Sequence, residues 1–314
     1  MSKMHSTVGV IGLGLIGGSM ALDLKRRGFA GRVLGVEADP VAAQAALTIG
    51  LVDEVVPYED CVARAGIVVV AVPVGTAVRM IPDILDRFGA AGREEALSSA
   101  SLRDPVRANA PERASSLPGE QIVIDVCSTK EQVCNAVKYH PRRGQFVSTH
   151  PMAGTEYSGP WAAQPGLFDG RACIFANVEE SDPRALKAVE DLYAVLNMRP
   201  IYMNAAQHDV HTAYVSHISH VTSFALALTV LDKEKDEKHI FDLASGGFSS
   251  TVRLAKSNAD MWVPILTQNH DNVLHVMDTY IDKMKQFRDA VADYDQDRIR
   301  DLITEANKIK KIIR

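Results

Sequence analysis

The sequence predicts an α/β half built on a mainly parallel sheet, followed by an all-helical half, with the division near residue 204. Two observations carry this expectation. Short apolar runs alternate with helical patterns through the first two-thirds of the chain, which favours parallel strands covered by helices. After Asn204 the strand signals stop and only helical periodicity continues. A chain of 314 residues has room for two domains, and 46% hydrophobic with 23% charged residues is the balance of a globular protein with a substantial core.

Residues Val8–Ile11 form an apolar run that ends in glycines; a helical stretch over about Gly17–Arg27 follows, then a second run, Val33–Val36. Strand, tight loop, helix, strand is a βαβ unit. Further buried strands are expected at Ile67–Val72, Ile122–Val126, Gln145–Thr149 and Ala172–Phe175. The span Gly89–Glu120 breaks this rhythm: it is rich in Ala, Ser, Arg and Glu, carries Pro105, Pro111 and Pro118, and reads as an exposed insertion.

A helix is expected over Ala205–Leu231, with Val210, Ala213, Tyr214, His217, His220, Val221, Phe224 and Leu228 in one stripe. Val215, Ile218 and Leu226 lie off the stripe, so this helix needs cover on more than one side. Asp232–His239 reads as a solvated link. Leu266 to Val291 continues at spacings of three, four and seven, and Ile299 to Ile313 marks a last helix. So much apolar surface on about 110 residues predicts a homodimer through the helical half.

The bulk numbers narrow the function. A net charge of −5 offers no basic excess for nucleic acid or an anionic membrane surface. Cys61, Cys127, Cys134 and Cys173 are scattered without a CxxC pair, as expected for free thiols in a reducing compartment. Met1–Thr7 lacks the features of a signal peptide, and no uninterrupted apolar run nears the roughly 20 residues that span a bilayer. A cytoplasmic location, with no nucleic-acid or membrane partner, is the expectation.

Gly12-Leu13-Gly14-Leu15-Ile16-Gly17 follows a strand and opens a helix, the context in which a G-x-G-x-x-G run binds a dinucleotide. Gly12 permits the tight turn, Gly14 lets the backbone approach a pyrophosphate, and Gly17 allows close helix–strand packing. Leu15 and Ile16 open the helix whose free N–H groups face the phosphates. Glu37 lies 20 residues beyond Gly17 (37 − 17), where a carboxylate accepts hydrogen bonds from a ribose and repels a 2′-phosphate. The first half is therefore expected to be a Rossmann-type domain that binds NAD rather than NADP. Val72 and Pro73 end a later strand, either lining the cofactor cleft or simply closing that strand.

Ser128, in Asp125-Val126-Cys127-Ser128-Thr129-Lys130, either caps the next helix with Glu131 as partner or meets substrate at the cleft edge; the two are compatible. His150 directly follows a strand in a Pro/Gly-containing loop, and reads either as a structural histidine or as the proton acceptor for a hydroxyl being oxidised. His217 and His220 lie three apart, as do His208 and His211; without a completing ligand set no metal is expected, and core histidines are the plainer reading. Arg253 suits either a two-point clamp on a carboxylate or a surface ion pair.

The runs GLGLIGGS (Gly12–Ser19), DVCSTK (Asp125–Lys130), HPMAGTE (His150–Glu156), VSHISH (Val215–His220) and SGGFSSTVRLAKSNADMW (Ser245–Trp262) resemble, in this order, the prephenate dehydrogenase family of tyrosine biosynthesis. The resemblance implies NAD-dependent oxidative decarboxylation of prephenate to 4-hydroxyphenylpyruvate and CO₂. It makes His150 the residue that hydrogen-bonds the ring hydroxyl, with Ser128 beside the hydroxyl and the nicotinamide. Arg253 then binds a substrate carboxylate, Ser216 and His220 line the same pocket, and Glu156 stands near its mouth. Trp262 is either a pocket wall or a core residue. Ser249 stands where some relatives carry a basic side chain, and Ser219 where many carry proline. The first departure leaves arogenate dehydrogenase as an alternative; a non-catalytic NAD-sensing dimer is a more distant one.

Overall fold

The structure is a computed structural model, and it describes residues 7–88, 121–235 and 240–312. The insertion at 89–120 and residues 236–239 of the charged link lie outside the described residues. Among those described, eight strands form one sheet, and helices alone follow it.

Strand β1 (Thr7–Ile11) pairs in parallel with β2 (Arg32–Val36) on one side and β4 (Ile67–Val70) on the other. A two-residue β3 (Glu54–Val55) extends the β2 side. Beyond β4 come β5 (Ile122–Asp125) and β6 (Phe146–Pro151), both parallel. Strand β7 (Ala172–Ala176) runs antiparallel to β6, and β8 (Arg199–Met203) closes the order β3-β2-β1-β4-β5-β6-β7-β8. Because β1, β4, β5 and β6 share a direction, the segments that leave them gather at one edge of the sheet. That carboxyl edge is where open α/β sheets bind ligands.

The sheet is buried on both faces, so its central strands read as unbroken apolar runs. Ile67 and Val69 pack with Met20, Leu24 and Phe175 on one face, whereas Val68 and Val70 pack with Ile81, Ile84 and Phe146 on the other. Helix α1 (Leu15–Arg26) begins two residues earlier than the sequence suggested, which puts Gly17 inside its first turn. The short β3 and β8 were not anticipated. Strand β8 pairs only with β7 and is half exposed, so it lacks a buried run and tolerates Pro200 at the sheet margin.

The expected helix over Ala205–Leu231 proves to be three segments: Ala205–Thr212, a π-helical stretch Ala213–His217, and Ile218–Glu234. Asp232 to Glu234 therefore belong to a helix, not to a link. The continuous span Ala205–Glu234 is long and apolar enough, by length and composition, to cross a bilayer, at a mean hydropathy of 1.3. The sequence reading missed this because histidines and Asp209 interrupt the apolar run. His208, Asp209 and His217 are buried and hydrogen-bonded within the protein, while Tyr214, Val215, Leu228 and Leu231 stand exposed. The helices Ala259–Gln268, His270–Ala292 and Gln296–Ala306 follow, and the last passes into a 3-10 turn, Asn307–Lys311. All four cysteines are free and buried.

Candidate active site

The glycine loop sits where β1 meets α1. Gly12 holds φ +92°, and a Cβ there would stand 2.4 Å from the Ala71 carbonyl oxygen. A Cβ on Gly17 would lie 2.0 Å from the oxygen of Gly12. Both positions demand glycine because backbone fills the space. Gly14 differs: a Cβ there would meet no atom within 4 Å, so its open side faces the cleft. Gly14 is also the N-cap of α1 and offers no side-chain acceptor to the first turn, whose amides are left for an anion. This arrangement fits a dinucleotide pyrophosphate.

Glu37 ends the same β1–β2 unit. Its carboxylate accepts hydrogen bonds from the amides of Leu13 (2.9 Å), Ala38 (2.9 Å) and Asp39 (3.2 Å). It thus braces the loop, and a carboxylate with four lone-pair positions keeps one for a ribose hydroxyl.

A cleft of about 510 Å³ runs from this loop to the helical half. Gly14, Leu15, Ile16, Val72, Pro73 and Ser128 line it from the sheet edge, joined by His150 and Glu156, while Ser216, His220, Arg253 and Trp262 close it from the helices. Gly12, Gly17 and Glu37 lie behind the loop rather than on the cleft wall.

Ser128 does not cap the following helix, Glu131–Val137, as one sequence reading expected. The amides of Lys130 and Glu131 instead donate to the two carboxylate oxygens of Asp209, at 2.7 and 2.9 Å, from across the molecule. Ser128 is thereby left on the cleft wall. Beneath it, the buried Lys130 ammonium pairs with the Asp125 carboxylate and donates to the Thr149 carbonyl oxygen at 2.6 Å. Asp125 also accepts from Cys127 N, Ser148 Oγ and Thr149 N. Burial opposes the Lys130 charge, but the Asp125 carboxylate more than offsets it and raises the ammonium pKa. This satisfied network fixes the ends of β5 and β6 side by side.

His150 lies in the last residues of β6 opposite Ile174, not in the loop after it. Its Nδ1 is 2.8 Å from Nε2 of His208, and His208 Nδ1 is 2.7 Å from Asp209 Oδ1. Burial, then the neighbouring His208, Lys130 and His217, hold the His150 pKa well below the usual imidazole value. The ring is accordingly neutral at pH 7, with a lone pair to offer.

On the helical side, His220 Nδ1 donates to the Ser216 carbonyl oxygen at 3.1 Å, which leaves Nε2 as an acceptor. Its ring stacks on Trp262 with centroids 3.5 Å apart, and burial lowers its pKa. Trp262 is both wall and core: it is 5% exposed, and its buried Nε1 has no hydrogen-bond partner among the described residues. His217 accepts from Asn269 Nδ2 at 3.1 Å, and its ring meets Trp262 edge-on with centroids 5.9 Å apart. Among the described residues no group of three His, Cys, Asp or Glu could hold a metal ion. Arg253 Nη1 reaches Glu156 Oε2 at 3.0 Å over the cleft mouth. The Glu156 pKa is lowered by its own backbone amide and by Arg253.

Sequence reasoning missed His208, Asp209, Asp125 and Lys130 as site-supporting residues. Their partners lie 58 to 79 residues away or are hidden in a strand end, so no local spacing signals them.

A family model described as prephenate dehydrogenase, nucleotide-binding domain, matches residues 20–89 and 104–202, and one described as prephenate dehydrogenase, dimerization domain, matches 204–305. The prephenate dehydrogenase of Bacillus subtilis is 29% identical over 301 residues, covering 95% of this chain and 74% of that protein. The cyclohexadienyl dehydrogenase of Zymomonas mobilis is 27% identical over 305 residues, covering 96% of this chain and 94% of that one. Among solved structures, the Aquifex aeolicus prephenate dehydrogenase in complex with hydroxyphenyl propionate and NAD⁺ superposes with a TM-score of 0.76 at 25% identity, covering 98% of this chain and 97% of that one. Synechocystis arogenate dehydrogenase gives 0.69 at 25% identity, covering 97% and 99%. With both family models together spanning most of its length and in the expected order, this chain belongs to the prephenate dehydrogenase family.

Proposed function

We propose that the protein is an NAD-dependent prephenate dehydrogenase that converts prephenate to 4-hydroxyphenylpyruvate and CO₂, supplying tyrosine biosynthesis. The observation that carries this reading is the single cleft in which the open glycine loop, Ser128, His150 and Arg253 meet. NAD⁺, when bound, supplies the hydride acceptor for the ring carbon that bears the hydroxyl. Gly14, Leu15 and Ile16 would hold its pyrophosphate, with Gly12 and Gly17 shaping the loop and Glu37 available to its ribose. Val72 and Pro73 would line the cofactor's part of the cleft.

His150 takes the hydroxyl proton as the ring is oxidised and returns it to the same oxygen as loss of CO₂ makes the ring aromatic. Ser128 hydrogen-bonds that hydroxyl from the sheet edge. Arg253 turns from Glu156 to a substrate carboxylate, where its planar fork can bind both oxygens. Ser216 and His220 orient the ring from the helical side, and Trp262 excludes water.

We place the division between the cofactor half and the substrate half at residue 204. The exposed Tyr214, Val215, Leu228, Ile281 and Met284, together with the dimerization model matched over the helical half, support a homodimer in which a second copy covers these side chains. The test is NADH formation by the purified protein with prephenate and with arogenate, each offered with NAD⁺ and with NADP⁺. Turnover of prephenate with NAD⁺ is expected; no turnover of prephenate would overturn the assignment, and turnover of arogenate alone would move it to that substrate.

A further inference from the structure

We propose that His208 and Asp209, from the first turn of the helical half, are positioning residues that lock His150 in the tautomer whose Nε2 is unprotonated. The proposal rests on the reading of His150 as the proton acceptor. Neither residue is on the wall of the cleft, so both act through His150.

Asp209 Oδ1 accepts from the Lys130 amide and Oδ2 from the Glu131 amide, so the carboxylate sits at the N-terminus of the helix Glu131–Val137 as an acceptor on both oxygens. His208 Nδ1 lies 2.7 Å from Oδ1 and must therefore carry the proton in that bond. A neutral imidazole has one N–H, so His208 Nε2 is left as a lone pair. That lone pair is 2.8 Å from His150 Nδ1, which must then be the donor. By the same count, His150 Nε2 is bare. A free histidine favours the opposite tautomer, with the proton on Nε2, which would present a donor to the substrate hydroxyl. The relay removes that possibility. It also gives the transient imidazolium of His150 a route to disperse its charge toward Asp209, the role a buried carboxylate plays behind a catalytic histidine elsewhere.

His208 is 1% exposed and Asp209 2%, so water does not compete for either bond. The two rings meet edge to face at 64°, with centroids 5.1 Å apart, which holds the bond in line. The Lys130 ammonium, bound to Asp125 and the Thr149 carbonyl below, adds a fixed positive charge that disfavours a resting cation on His150.

The experiment is ¹⁵N NMR of the full chain labelled at histidine, with NAD⁺ present, the His150 resonances being identified by their loss in His150→Asn. The expected spectrum shows a protonated Nδ1 and an unprotonated Nε2 on His150. In His208→Phe the proton moves to Nε2 and kcat falls at least about 10-fold, toward the roughly 10⁴-fold cost of a wrong tautomer in the serine-protease triad. KM for substrate and the NADH dissociation constant stay within about two-fold. His208→Gln, whose side-chain carbonyl still accepts from Nδ1, restores the wild-type tautomer and part of kcat. A protonated Nε2 in the wild-type protein, or an unmoved proton in His208→Phe, overturns the proposal. If the variants do not fold, the wild-type spectrum decides alone. Failure of the functional reading looks different: the tautomer is as expected but no NADH forms from prephenate.

Discussion

Asp209 accepts hydrogen bonds from the backbone amides of Lys130 and Glu131 at 2.7 and 2.9 Å, so a residue of the helical half caps a helix of the sheet half. Asn269 Nδ2 donates to the Asp209 carbonyl oxygen at 2.7 Å, which ties a third element into the same joint. Asp209→Ala leaves two buried amides and His208 without their acceptor. The expected loss is about 3 kcal/mol, from roughly 1–3 kcal/mol per orphaned buried donor, read as a lower urea midpoint. A midpoint shift corresponding to under about 0.5 kcal/mol would show that water replaces the carboxylate.

Gly14 and Gly17 are expected to separate binding from folding. Gly17→Ala puts a Cβ 2.0 Å from the Gly12 oxygen, so both Tm and NAD⁺ affinity should fall. Gly14→Ala meets no protein atom within 4 Å, so Tm should hold while the NAD⁺ dissociation constant rises at least about 10-fold. Fluorescence titration and thermal melts check both; an unchanged dissociation constant in Gly14→Ala would remove the pyrophosphate from this loop.

His150→Asn should lower kcat by roughly 10²–10⁴-fold, the span of general acid–base catalysis, with NADH binding intact. Full activity in this variant would take the proton to another residue.

Arg253→Gln should mainly raise KM for prephenate, because a carboxylate is held about equally in ground and transition states. The ion pair with Glu156 has to open for that clamp to form. Steady-state kinetics with an unchanged KM would rule the clamp out.

Stability should depend on pH through His217, which is buried and held down to about 4 from an ordinary 6.5. The unfolded chain binds this proton more readily than the native one, so the stability linked to His217 is complete above pH 6.5 and is lost as pH falls toward 4. His208 and His150, whose pKa values burial also depresses, act in the same direction. Tm should therefore be flat just above neutrality and decline through that window, and His217→Gln should flatten the decline. An identical slope in that variant would shift the effect to the other two rings.

The sheet half was legible because its signals are local. A buried strand, a glycine turn and a helix lie within thirty residues of each other at Val8–Val36, and Glu37 closes the unit. His150, Ser128 and Arg253 were legible as residue types at strand and helix ends, helped by the resemblance of their surrounding runs. Strand β8 was not, because an edge strand with Pro200 has no apolar alternation to read. Ser128 and Glu131 looked like a capping box, but Asp209 takes the amides that such a box would use. The His208–Asp209 pair was hidden for the same reason: its meaning depends on a contact with β6 that spacing along one helix cannot express.

The π-helical stretch Ala213–His217 has its own consequence for the cleft. At about 100° per residue, the eight steps from Asp209 to His217 would leave the two some 80° out of phase in a regular α-helix. The wider π turn absorbs most of that rotation, which is how Asn269 meets both the Asp209 carbonyl and the His217 ring. Deleting one residue here would close the π turn into a regular α-helix with seven steps from Asp209 to His217, about 20° short of two full turns, and would leave Ser216 and His220 facing as they do now. What aligns one wall of the cleft with the other is the rotation that this π turn absorbs.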